Sequence, residues 1–157
     1  MTSSLGEERL ERAIVRAAAE RGVTYAFAES CTGGALAARI VSVEGASRSF
    51  LGSLVVYAEQ WKEKFLHVRP ETLQSASAVS RETVREMVEG IFKESTADYA
   101  VATSGWLSHS PSEIFIAVGK RGEEIHVGHF FLSSDRATGM EEGVDLALRA
   151  LWQCMQR

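Results

Sequence analysis

Apolar positions along this chain fall into two rhythms: short continuous runs, and stripes spaced three or four residues apart. The runs mark buried strands and the stripes amphipathic helices. Leu10, Ile14, Ala17 and Ala18 form the first stripe, with capping-box spacing at Ser4-Leu5-Gly6-Glu7 before it and Gly22 as its stop. Val23 to Ala28 reads as a strand, Ala35 to Val43 as a helix, and Phe50 to Tyr57 as a second apolar strand. Ala58 to Phe65 is a short helix, and Pro70 to Ser75 a turn or helical piece. Ser80 caps a helix whose inward stripe is Val84, Met87, Val88, Ile91 and Phe92. Tyr99 to Thr103 is a third strand. Glu113 to Gly119 and Glu124 to Leu132 alternate more visibly, and Lys120-Arg121-Gly122-Glu123 turns them into an antiparallel hairpin. Asp135 to Gln156 is the last helix, burying Val144, Leu148, Leu151 and Met155.

Strands separated by helices imply a sheet covered on both faces, and the hairpin adds an antiparallel member. The expected fold is an α/β three-layer α/β/α sandwich on a mixed sheet, one domain over residues 1–157. In such sheets ligands sit at the carboxyl ends of the parallel strands. The turn after Ala28, Tyr57, and a turn at Thr103-Ser104-Gly105 fall at ends of that kind. If the three strands run parallel, three polar corners meet in one crevice.

Composition narrows the function classes. The 157 residues are 45% hydrophobic and 24% charged, with a net charge of −4. That balance gives no electrostatic case for nucleic acid, and no apolar run is long enough to span a bilayer. Met1 to Arg12 lacks the apolar centre of a signal peptide. Cys31 and Cys154 build neither a disulfide framework nor a zinc site. The cytoplasm is the expected compartment. His126 and His129 fall on opposite faces of one strand and share no metal; His67 and His109 stand alone. No metal and no cofactor are expected.

The chemistry concentrates in Ala28-Glu29-Ser30-Cys31-Thr32-Gly33-Gly34, where an apolar run stops at two hydroxyls and two glycines. A serine there meets the unpaired N–H groups of the next helix, which suits a nucleophile with an oxyanion hole or a phosphate cradle. Simple capping by Ser30 or Thr32 is the plainer alternative. Glu29 could anchor the turn by accepting backbone hydrogen bonds. Lys62 lies about one helical turn beyond Tyr57. A desolvated lysine can act as a base, although most lysines on short helices are solvated. Cys31 reads as packing, and Asp98 and Asp145 as surface acids.

These residues carry a resemblance. The Glu29 to Gly34 string with Leu36-Ala37-Ala38-Arg39-Ile40 resembles the signature of the CinA C-terminal domain family, the bacterial nicotinamide mononucleotide amidohydrolases. The likeness continues through Pro70-Glu71-Thr72-Leu73, Ala78-Val79-Ser80, Glu86-Met87, Gly90 and Asp135-Arg136, covering nearly the whole chain. It implies a three-layer domain on a mixed five-stranded sheet, and an amidase converting a pyridine nucleotide carboxamide to nicotinic acid mononucleotide and ammonia. By position it makes Ser30 the nucleophile, Lys62 (rather than Lys64) its base, and Tyr57 a group that orients the lysine and relays protons. Thr32, Gly33 and Gly34 would offer N–H groups to the oxyanion or to the nucleotide phosphate. Thr103 and Gly105 would line the substrate site. Arg136 would contact phosphate or form a surface ion pair. A homo-oligomer, a dimer first, is the implied assembly.

One stretch departs from the family. Active members carry a glycine-rich loop after the third strand, of the type Thr-Gly-x-Ala-Gly-Pro-Gly-Gly. Here it is Thr103-Ser104-Gly105-Trp106-Leu107-Ser108-His109-Ser110-Pro111-Ser112, shorter and without the glycine cluster. Glycines permit close approach of backbone to ligand. Trp106 in their place either stacks on a pyridine ring or plugs the pocket. The dyad favours an active amidohydrolase; the lost loop favours a catalytically silent homologue that binds a nucleotide or a protein partner.

Overall fold

The computed structural model describes residues 8–157, and the Ser4–Glu7 capping box lies outside the described residues. The elements follow in the order α1 (Leu10–Arg21), β1 (Tyr25–Glu29), α2 (Ala35–Val41), a 3-10 turn (Ala46–Arg48), β2 (Phe50–Val55), α3 (Glu59–Leu66), α4 (Pro70–Ala76), α5 (Arg81–Glu94), β3 (Tyr99–Trp106), β4 (Ser112–Lys120), β5 (His126–Leu132) and α6 (Arg136–Met155). The five strands form one sheet in the order β2-β1-β3-β4-β5. β1 is parallel to β2 and to β3, while β4 and β5 are antiparallel. The mixed α/β/α sandwich is therefore the fold, with the carboxyl ends of β1, β2 and β3 on one side.

Side-chain alternation along the strands divides the core into two layers. Phe27, Val101, Ile114 and Ile116 face α1, α2 and α6, where Ile14, Leu36, Leu148 and Leu151 are buried against them. Ala26, Ala28, Ala100, Ala102 and Ala117 point the other way, toward Leu66, Val84, Met87, Val88 and Ile91. This all-alanine inner face lets α5 lie close to the sheet. Dense, well-matched contact of this kind supplies most of a domain's stability.

Two of the boundaries that differ from the sequence expectation bear on the site. β3 does not turn at Thr103; it continues to Trp106 because antiparallel β4 pairs with it as far as Trp106↔Glu113. β1 supports β3 only to Ala28↔Ala102. Thr103, Ser104 and Gly105 are thus strand residues projecting past the end of β1, and the connecting loop is confined to residues 107–111. The Phe50 strand ends at Val55 and forms the edge of the sheet, with Leu51, Leu54 and Val55 exposed.

Asp98 is not a free surface acid. Its carboxylate accepts from the Thr24 amide at 2.8 Å and the Thr24 hydroxyl at 3.2 Å, tying the entries of β1 and β3 together. Among the described residues no helix is long and apolar enough to cross a membrane. No group of three metal-binding side chains occurs among them either.

Candidate active site

The turn between β1 and α2 is built around a buried carboxylate. Glu29, fully buried, accepts from the Thr32 hydroxyl at 2.7 Å and from the Gly34, Leu36 and Ala37 amides at 3.0–3.2 Å. It also accepts from the Ser53 hydroxyl on β2 at 2.7 Å. Neither Ser30 nor Thr32 caps α2: the N-cap position is Gly34, and Glu29 takes up the first-turn amides from below. Anionic charge at a helix N-terminus is also favoured by the helix dipole. Gly33 and Gly34 have φ of 57° and 97°, a left-handed pair that turns the chain sharply and that residues with a Cβ rarely adopt.

That network corrects the donor roles expected of Gly33 and Gly34. The Gly33 amide donates to Ser30 O at 3.0 Å, and the Gly34 amide is committed to Glu29. The Ser30 amide donates to Thr103 O on β3. The amides of Cys31 and Thr32 donate to no main-chain carbonyl among the described residues, and the Cys31 amide lies against its own thiol. The Thr32 hydroxyl is fixed between Glu29 and the Thr103 hydroxyl, the latter at 2.8 Å. Thr32 and Thr103 are both buried, so they buttress the turn from behind instead of facing a ligand.

Ser30 and Lys62 meet across the strand ends. Lys62 is 1% exposed, and its Nζ lies 2.9 Å from Ser30 Oγ. The same nitrogen donates to the carbonyls of Val56 at 2.8 Å and Tyr57 at 3.0 Å. Burial pushes the amine down to about 8, against an opposing pull that includes the Glu59 carboxylate. A neutral amine keeps two protons, one for each carbonyl, and its lone pair is left for the Ser30 hydroxyl. Among the described residues no carboxylate forms a salt bridge with Lys62, and the opposing pull stays smaller than the desolvation. Lys64, two residues on, belongs to the exposed side of α3.

Tyr57 contributes to this arrangement through its carbonyl. Its phenol points elsewhere: the ring is 65% exposed, and Arg136 Nη2 donates to the hydroxyl at 3.2 Å. Arg136, the first residue of α6, thereby closes one side of the cleft. Asp135 before it caps the helix by accepting from the Thr138 amide and hydroxyl.

A cleft of about 380 Å³ opens over the dyad, lined by Ser30, Lys62, Tyr57, Trp106, His109 and Arg136 among others. Gly105 belongs to the same wall, and a Cβ there would come within 3.2 Å of Cys31 Sγ and closer still to the Glu113 carbonyl. The glycine is needed for strand packing. Trp106 does not plug the space: it stands at the rim, 41% exposed, with its ring 5.0 Å from that of His109. Leu107 turns inward into the core instead. Cys31 is no rival nucleophile, because burial pushes its thiol up to about 12. Glu59 and the Ala78-Val79 segment also line this wall without having stood out in the sequence, whereas Ser104 belongs to one of the expected polar corners. Ser104 is held there by donating to Ala78 O at 2.7 Å. The proximity of Glu59 and Ala78-Val79 depends on how α3, α4 and α5 dock, for which no local pattern exists.

The chain is similar to known proteins along most of its length. The family model for the CinA C-terminal domain matches residues 7–155. A CinA-like protein of Chlorobium phaeobacteroides is 51% identical over 96 residues, 61% of this chain and 23% of its own length. A putative competence-damage inducible protein of Thermoanaerobacter is 36% identical over 140 residues, 85% of this chain and 34% of its own. The chain thus spans roughly a quarter to a third of these curated relatives. Among solved structures, the competence damage-inducible protein A of Klebsiella pneumoniae superposes with a TM-score of 0.89 at 31% identity, covering 94% of this chain and 96% of that one. A competence/damage inducible protein of Agrobacterium tumefaciens gives 0.87 at 25% identity, with 98% and 99% covered. Sequence and fold agree: the chain belongs to the CinA C-terminal domain family.

Proposed function

We propose that this domain is a serine amidohydrolase that deamidates nicotinamide mononucleotide, or a close pyridine nucleotide, to the corresponding acid and ammonia. The observation that carries the reading is the 2.9 Å approach of a buried, unpaired lysine amine to a serine hydroxyl at the end of a parallel strand. Lys62 Nζ accepts the Ser30 proton as Oγ attacks the carboxamide carbon, giving a tetrahedral oxyanion. The Cys31 amide, directly after the nucleophile and without a main-chain acceptor, is the donor we assign to that oxygen. Collapse of the intermediate breaks the C–N bond, and Lys62 returns the proton to the departing nitrogen. Water then attacks the Ser30 ester with Lys62 again as base, releasing the carboxylic acid.

The cleft volume falls within the range of small-ligand sites. Arg136, at its margin, is suited to a nucleotide phosphate. The competing reading, a silent nucleotide binder, rests on the short glycine-poor loop; the open space above the dyad weighs against it. The accompanying proposal of a homodimer is checked by light scattering of the same preparation.

Incubation with nicotinamide mononucleotide and assay of released ammonia tests the activity. The wild-type protein should release ammonia, and Ser30→Ala should lower the rate by about a thousandfold or more while unfolding as the wild type does. Equal rates in the two proteins would remove Ser30 from the chemistry.

A further inference from the structure

The end of β3 places an indole at the mouth of the cleft, and nothing in the dyad chemistry uses it. Trp106 is the last residue of β3 and is fixed through its backbone by pairing with Glu113. Its side chain is substantially exposed, yet it is held in position by the neighbouring imidazole. His109 is itself anchored, since its Nδ1 lies 2.9 Å from Leu107 O and its amide donates to Ser112 Oγ at 3.2 Å. A large aromatic left exposed on a well-paired strand, braced by a second ring and bordering the cleft over the dyad, is organised for a flat ligand.

The charges around it refine the class. Glu59 lines the same cleft, and Arg136 stands at its margin beside Tyr57. An indole face is electron-rich and attracts a cation placed over it. We propose that Trp106, braced by His109, is a specificity-determining residue that recognises the positive charge of an N-substituted pyridinium ring. Discrimination is then against uncharged rings bearing the same carboxamide. Glu59 supplies a negative charge within the same cleft, and Arg136, whose guanidinium also reaches to 3.5 Å from the Leu107 carbonyl, serves the anionic end. This deepens the amidohydrolase reading and rests on it, since it names the ring that the dyad's amide belongs to.

The test measures binding by calorimetry in a Ser30→Ala background, so that turnover plays no part. The two probes are nicotinamide mononucleotide and its reduced dihydropyridine form, which keeps the carboxamide, ribose and phosphate but has no ring charge. Adding Trp106→Leu should weaken the oxidised nucleotide by about five- to thirtyfold, the span expected for a cation on an indole face. The reduced form should change by about twofold or less, and Trp106→Phe should recover part of the lost affinity. Equal losses for both nucleotides, or none for either, would overturn the clamp alone. Failure of the Ser30→Ala protein to bind either nucleotide would overturn the clamp and the substrate assignment together.

Discussion

Lys62 is the residue on which the chemistry turns, and its burial has an energetic signature apart from activity. An ordinary lysine titrates near 10.5, whereas this one is pushed down to about 8 by desolvation. Between those values the unfolded chain holds a proton that the folded chain has released, so stability gained from this group rises with pH. Below about pH 8 the folded state must accommodate a buried ammonium, and the penalty is complete. Above about 10.5 it has gone. The difference is on the order of 3 kcal/mol. In urea unfolding, Lys62→Met should gain stability relative to the wild type at pH 6 and lose that advantage by pH 10. A constant offset between the two proteins across that range would mean that Lys62 is not a desolvated amine. The sequence marked Lys62 only through the family register. A lysine on a short helix looks solvated until the Val56 and Tyr57 carbonyls and the Ser30 hydroxyl are seen to enclose it.

At the level of elements, the β1–α2 turn is the piece most plainly written in the sequence. An apolar run, a carboxylate, two hydroxyls and two glycines describe a strand that stops and a helix that starts. What the string does not reveal is the division of labour. Glu29 gathers three amides and two hydroxyls, so neither Ser30 nor Thr32 is needed as a cap for α2. Glu29→Gln would set an amide N–H₂ against several of these donors and remove the charge facing the helix start. Equilibrium unfolding should show a loss of about 2–4 kcal/mol; an unchanged denaturation midpoint would show that the carboxylate is dispensable. The end of β3 was less legible. Thr103-Ser104-Gly105 carries turn residues, and only the pairing with β4, remote in sequence, keeps the chain extended to Trp106.

Across the whole molecule, topology explains why distant segments make one site. β1 lies between β2 and β3, and all three point the same way, so their ends deliver Ser30, Tyr57 and Gly105 to one rim. α3, entering directly from β2, carries Lys62 back beneath Ser30, and α6 brings Arg136 across to Tyr57. Alternating helices and strands made the layers readable from the sequence. The order of strands, and hence the meeting of these groups, depended on long-range pairing that no local pattern encodes. The account as a whole requires that a neutral Lys62 activate Ser30. The most direct test is the initial rate of ammonia release from nicotinamide mononucleotide between pH 6 and 10. The wild-type rate should climb about tenfold per pH unit at the acid end and level off above about 8, with Lys62→Met inactive throughout. A rate already at its plateau at pH 6, or a Lys62→Met protein that keeps pace with the wild type, would contradict it.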